Sequence, residues 1–129
     1  MNKILLVDDD VELAAGLASV LSSEGYEVET RETLDDARQA LFGDPPDLLV
    51  LDVMFPENPA GGFDLARELR TNEKTKKLPV ILLTAVNQEL PMDFSAADID
   101  DEWMPVQDFL EKPPAFPELI AKVKKLLQQ

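Results

Sequence analysis

Four groups of reactive side chains stand far apart in this sequence, and each closes or follows an apolar run. Asp8-Asp9-Asp10 follows Ile4-Leu5-Leu6-Val7, and Asp52 follows Leu48-Leu49-Val50-Leu51. Thr84 comes after Pro79-Val80-Ile81-Leu82-Leu83, and Lys112-Pro113 comes just after Phe109-Leu110. If the runs are parallel strands of one sheet, all four groups converge on a single edge. Carboxylates crowded there would repel one another strongly in a partly dry site. A hard divalent cation relieves that repulsion, and oxygen-only ligands with room for water suit magnesium. Such an ion also neutralises charge on a phosphoryl group. A lysine and a threonine hydroxyl supply the remaining donors, so the set fits a carboxylate nucleophile that forms an acyl phosphate.

The elements between these groups alternate as that geometry requires. Four-residue apolar runs read as strands buried on both faces. Leu13, Leu17, Val20 and Leu21 recur at helical spacing, with Gly25 as a stop, and Tyr26–Thr30 alternates like a half-exposed strand. Thr33 with Asp36 forms an N-terminal cap for a helix carrying Leu34, Ala37 and Leu41. Gly62 opens a helix marked by Leu65, Ala66 and Leu69. The closing helix places Phe116, Leu119, Ile120, Val123 and Leu127 on one face, with Pro117 in its first turn and lysines in its last. Five strands interleaved with helices predict an α/β fold, a doubly wound parallel sheet covered on both faces. Ligands in such sheets lie outside the carboxyl ends of the strands, where the strand order reverses.

Each residue also has a plain structural reading. Asp8-Asp9-Asp10 is an ordinary solvated helix start with Asp10 as cap, Asp52 a turn cap, Thr84 strand filler and Lys112 a surface lysine. Their joint placement at strand ends is what chance does not readily produce.

The bulk properties narrow the function further. The 129 residues hold 26 acidic and 12 basic side chains, a formal charge of −14. That field repels phosphate backbones and anionic lipid, which predicts no nucleic-acid and no membrane partner. The chain has neither cysteine nor histidine, which excludes a disulfide framework, a thiolate or imidazole zinc centre and a serine–histidine triad. The N-terminal apolar run is too short for a signal peptide or a membrane span, and a cytoplasmic location is expected.

Taken together, Val7-Asp8-Asp9-Asp10, Leu51-Asp52 with Pro56, Leu83-Thr84-Ala85 and Phe109-Leu110-Glu111-Lys112-Pro113 resemble the receiver domains of two-component response regulators, along essentially the whole chain. The resemblance implies a flavodoxin-like receiver fold over residues 1–129, a single domain with no output domain. It implies that Asp52 is phosphorylated by a sensor histidine kinase or a phosphotransfer protein. Asp9, Asp52 and the backbone carbonyl of Met54 would ligate Mg2+, with Asp8 helping through water. Thr84 and Lys112 would hold the phosphoryl oxygens, and Phe109 would turn inward as Thr84 moves, switching a protein-interaction surface. The domain would catalyse its own phosphorylation and dephosphorylation without being an enzyme on an outside substrate.

Two stretches depart from the family pattern. The loop between Pro56 and Gly62 is longer than usual. From Val86 to Glu111 there are eight acidic residues and no basic one, with Pro91 and Pro105 opposing a long regular helix where one belongs. Ser95 with Asp98 offers a cap for a short helix carrying Ile99 and Trp103. Asp98, Asp100 and Asp101 superficially suggest a calcium loop, but Trp103 and Phe109 replace its required glycine and bidentate glutamate. Two rival functions stand beside the phosphoacceptor: a constitutive adaptor with the same fold, and a small aspartate-and-magnesium phosphatase, which would need a second acid and a substrate-covering cap.

Overall fold

The structure is a computed structural model and describes residues 2–53, 55, 61–85, 108–112 and 114–127. The expectations for Met54, for the loop at 56–60, for the segment 86–107 with Trp103, and for Pro113 lie outside the described residues, as do the side chains of Thr84 and Phe109.

The chain runs β1 (Lys3–Val7), α1 (Val11–Ser23), β2 (Glu27–Arg31), α2 (Leu34–Gly43), β3 (Leu48–Asp52), α3 (Gly61–Arg70), β4 (Val80–Ala85), β5 (Asp108–Lys112) and α4 (Phe116–Leu127). All described strand pairs are parallel, in the order β2-β1-β3-β4-β5. After β1 the chain steps outward to β2, then returns to the other side of β1 for β3. The order therefore reverses between β1 and β3, and a crevice opens where their carboxyl ends diverge.

The apolar runs split by side-chain parity, because alternate residues of a strand face opposite ways. Leu5, Val7, Leu49, Leu51, Val80 and Leu82 pack beneath α2 and α3, against Leu34, Ala37, Leu41, Leu65, Ala66 and Leu69. Ile4, Leu6, Leu48, Val50, Ile81, Leu83 and Leu110 face α1 and α4, against Ala14, Leu17, Leu21, Leu119 and Val123. Burying both faces removes most of this apolar surface from water, the main term that opposes chain entropy.

Local signals place the helix ends. Asp10 caps α1 by accepting from the Leu13 amide at 3.1 Å, and Thr33 caps α2 by accepting from the Asp36 amide at 3.1 Å. Gly25 ends the α1 turn at φ 99°, a backbone conformation that a side chain would strain. Arg38 ties α2 to α3 through a forked contact with Glu68, at 2.8 Å from Nη2 and 3.0 Å from Nε.

Three sequence expectations need correction. Phe116 is not on the buried face of the closing helix. It is 47% exposed, because it is the first helical residue, one turn before Leu119 begins the contact with the sheet. Strand β4 continues through Thr84 to Ala85, and Lys112 is the last residue of β5 rather than the first beyond it. Parallel pairing of Thr84 with Glu111 and Ala85 with Lys112 carries both strands past the end of their apolar runs.

Candidate functional site

Asp8 is the first residue after β1, and its amide donates to the Arg31 carbonyl at the end of β2, 3.0 Å away. Its side chain turns back on the chain, where Oδ1 accepts from the Asp10 amide at 2.9 Å. This local turn leaves Oδ2 pointing elsewhere. Asp52 is the last residue of β3 and pairs in register with Leu83. Both carboxylates are buried, Asp8 completely, whereas Asp9 is exposed. One ligand atom from each of Asp8, Asp9 and Asp52 fits within a sphere where no two are more than 4.8 Å apart.

Lys112 reaches this cluster from the far edge of the sheet. It stands two strands away from Asp52, about 9–10 Å laterally, and only a long side chain spans that gap. Its ammonium lies 2.8 Å from Asp8 Oδ2 and 3.0 Å from Asp52 Oδ1. The contact with Asp52 joins two mostly buried groups, so it is screened far less than a surface pair.

The electrostatics follow from this packing. Burial pushes the Asp52 carboxyl up from 3.8 to about 7, and the Asp8 charge adds to the rise, while Lys112 pulls it back. Burial also opposes the charge on Lys112, but contacts with Asp8 and Asp52 outweigh it and raise the ammonium above its ordinary value. The site therefore carries more negative charge than one lysine balances.

A divalent cation fits this site. The donors are all carboxylate oxygens at close quarters, the chemistry magnesium selects. Asp8 Oδ2 is buried and accepts no hydrogen bond. Its close cationic neighbour is the Lys112 ammonium, 2.8 Å away. That one ammonium is shared with Asp52, so a divalent cation in the crevice would offset the remaining negative charge of the cluster.

The predicted residues divide clearly. Asp8, Asp9, Asp52 and Lys112 are brought together, although up to 104 positions separate them in the chain. Thr84 is placed by its backbone in β4, level with Glu111, and Phe109 in β5, level with Leu82. Sequence reasoning assigned Gly62 only a helix start. In the structure its backbone lies against that of Asp52 and Val53, and the signal available was the glycine pair Gly61-Gly62 shortly after a strand end.

Comparison with known proteins identifies the family. The family described as response regulator receiver domain matches residues 4–124. The phosphate regulon transcriptional regulatory protein PhoB of Rhizobium meliloti (strain 1021) is 38% identical over the whole chain, which covers 53% of that protein. The transcriptional regulatory protein CpxR of Klebsiella pneumoniae is 40% identical, again over the whole chain and 50% of its own length. The chain thus spans about half the length of these curated relatives. Among solved structures, the receiver domain of NtrX from Brucella abortus superposes with a TM-score of 0.81 at 28% identity, with 98% of each chain covered. The protein belongs to the response regulator receiver domain family.

Proposed function

We propose that Asp52 is the phosphoacceptor of this receiver domain, and that its donor is a phosphohistidine on a sensor kinase or a phosphotransfer protein. The observation that carries this reading is the convergence of Asp8, Asp9 and Asp52 within 4.8 Å, with one lysine bridging Asp8 and Asp52. An Asp52 oxygen forms a bond to phosphorus as the phosphorus–imidazole nitrogen bond breaks, and the imidazole leaves with the bonding electron pair. Lys112, already charged and within reach of the acceptor oxygen, neutralises charge that builds on the phosphoryl oxygens. Asp8, Asp9 and Asp52, with the carbonyl of Met54, would hold Mg2+, which supplies charge neutralisation at the phosphoryl oxygens and lowers the Asp52 pKa. Thr84 contributes its hydroxyl to the phosphoryl group, and Phe109 responds to that contact to switch a protein-binding surface. Water later attacks the acyl phosphate and resets the domain.

The relatives are named as transcriptional regulatory proteins and are about twice as long. For this chain itself direct nucleic-acid contact is not proposed, since its −14 charge repels phosphate. No helix among the described residues is long and apolar enough to cross a membrane.

Incubation with phosphoramidate and Mg2+ tests the assignment by intact mass. One base-labile phosphoryl group is expected on the wild type and none on Asp52→Asn. Stoichiometric labelling of Asp52→Asn would remove the residue from this role. Wild-type protein that stays unlabelled would instead favour the adaptor reading.

A further inference from the structure

We propose that Gly62 is a positioning residue for Asp52: the absence of a side chain at 62 lets the start of α3 rest directly on the backbone that carries the acceptor. This inference rests on Asp52 being the phosphoacceptor.

The end of β3 is held from two sides. The Val53 amide donates to the Leu83 carbonyl of β4 at 3.2 Å, and the Val53 carbonyl accepts from the Gly62 amide at 2.8 Å. Asp52 therefore stands on the last backbone segment of β3 before the chain leaves the sheet, and α3 closes over that segment from outside. A Cβ on Gly62 would lie 2.7 Å from the Val53 Cα and 3.0 Å from the Asp52 carbonyl carbon, and would collide with the Asp52 carbonyl oxygen. All three are backbone atoms, so no rotamer change relieves the clash. Either α3 withdraws or the β3 end shifts, and in both cases the Gly62–Val53 hydrogen bond is strained.

Gly16, Gly43 and Gly61 have no such backbone neighbours. A Cβ at Gly16 or Gly43 meets nothing within 4 Å, and one at Gly61 meets only the Leu34 side chain. The requirement at Gly62 is thus local to Asp52. Residue 62 touches no reacting atom; it acts through where the acceptor carboxylate sits relative to Asp8, Asp9 and Lys112. Misplacing a reacting group by about 1 Å costs on the order of 100-fold in rate.

The test compares phosphoramidate saturation kinetics of wild type, Gly62→Ala, Gly43→Ala and Leu65→Ala, each with its urea midpoint. Leu65 is a buried core residue of α3, so its truncation reports loss of α3 packing without placing an atom against the acceptor backbone. Gly62→Ala is expected to lower the maximal labelling rate about 10- to 100-fold. Gly43→Ala and Leu65→Ala are expected to stay within about twofold of wild type, even where Leu65→Ala loses more stability. A folded Gly62→Ala protein labelled at the wild-type maximal rate would overturn the positioning role and leave Asp52 as acceptor. A wild type that resists labelling would overturn the acceptor assignment, and this inference with it. If Gly62→Ala does not fold, 15N-labelled wild type decides. Its Gly62 amide is expected to exchange slowly with solvent and to shift when Mg2+ alone is added. A fast-exchanging Gly62 amide, indifferent to Mg2+, would overturn the proposal.

Discussion

Replacing Asp52 by asparagine is expected to stabilise the metal-free protein, and to do so more at pH 8 than at pH 5.5. The folded-state pKa of Asp52 is about 7 against 3.8 for an ordinary aspartate. The folded state thus binds this proton more tightly than the unfolded state. Stability contributed by the neutral carboxyl is full below pH 3.8, is lost as pH rises, and is gone above about 7. A shift of this size corresponds to about 4 kcal/mol, with about 2 kcal/mol of it lost between pH 5.5 and 8. Asparagine keeps the shape of the neutral acid and does not titrate. Urea unfolding of both proteins in chelator, at pH 5.5, 6.5 and 8, reads the effect, because carboxylates remote from Asp52 cancel in the difference and only its charged neighbours, Asp8 foremost, respond to the substitution. The Asp52→Asn advantage is expected to grow by about 2 kcal/mol across that range, or roughly 6–10 °C in Tm for a chain of this size. An advantage independent of pH, or an Asp52→Asn protein less stable than wild type at pH 8, would refute the reasoning from burial and the Asp8 charge.

Mg2+ at 100 times its Kd is expected to raise wild-type stability by about 2.7 kcal/mol. The Tm shift should be smaller for Asp9→Ala, and equal shifts would mean general screening of the −14 charge. Lys112→Ala leaves Asp8 and Asp52 facing each other without a counter-charge, so urea unfolding at pH 8 should show a loss on the order of 3 kcal/mol. Adding Asp52→Asn to Lys112→Ala should restore part of that loss, and strict additivity would contradict the shared contact. Arg38→Ala removes the α2–α3 contact with Glu68. Both side chains are about a third or more exposed, so the expected cost is only about 0.5–1 kcal/mol by the same assay, shrinking in high salt.

The layers were legible in the order of the amino acids alone. Runs such as Ile4-Leu5-Leu6-Val7 and Leu48-Leu49-Val50-Leu51 have no polar face, so only a two-sided cover can bury them, and that requirement alone selects a doubly wound sheet. The caps at Asp10 and Thr33 and the stop at Gly25 were equally legible, because each is a local hydrogen bond or backbone angle. The candidate site was legible as a list, since every member stands beside a strand end. The rest depends on register and on neighbours remote in sequence. Pairing Ala85 with Lys112 set how far Lys112 projects, and so which two carboxylates it bridges. Stacking α3 on the β3 backbone turned Gly62 from a helix opener into a contact that no side chain can share. Phe116 looked buried by periodicity and is exposed, because periodicity assigns a face to a helix but not the point along it where the sheet begins. Burial of Asp52 beside Asp8, which moves its proton affinity into the neutral range, likewise has no local signature. It arises only when two strands 44 positions apart end side by side.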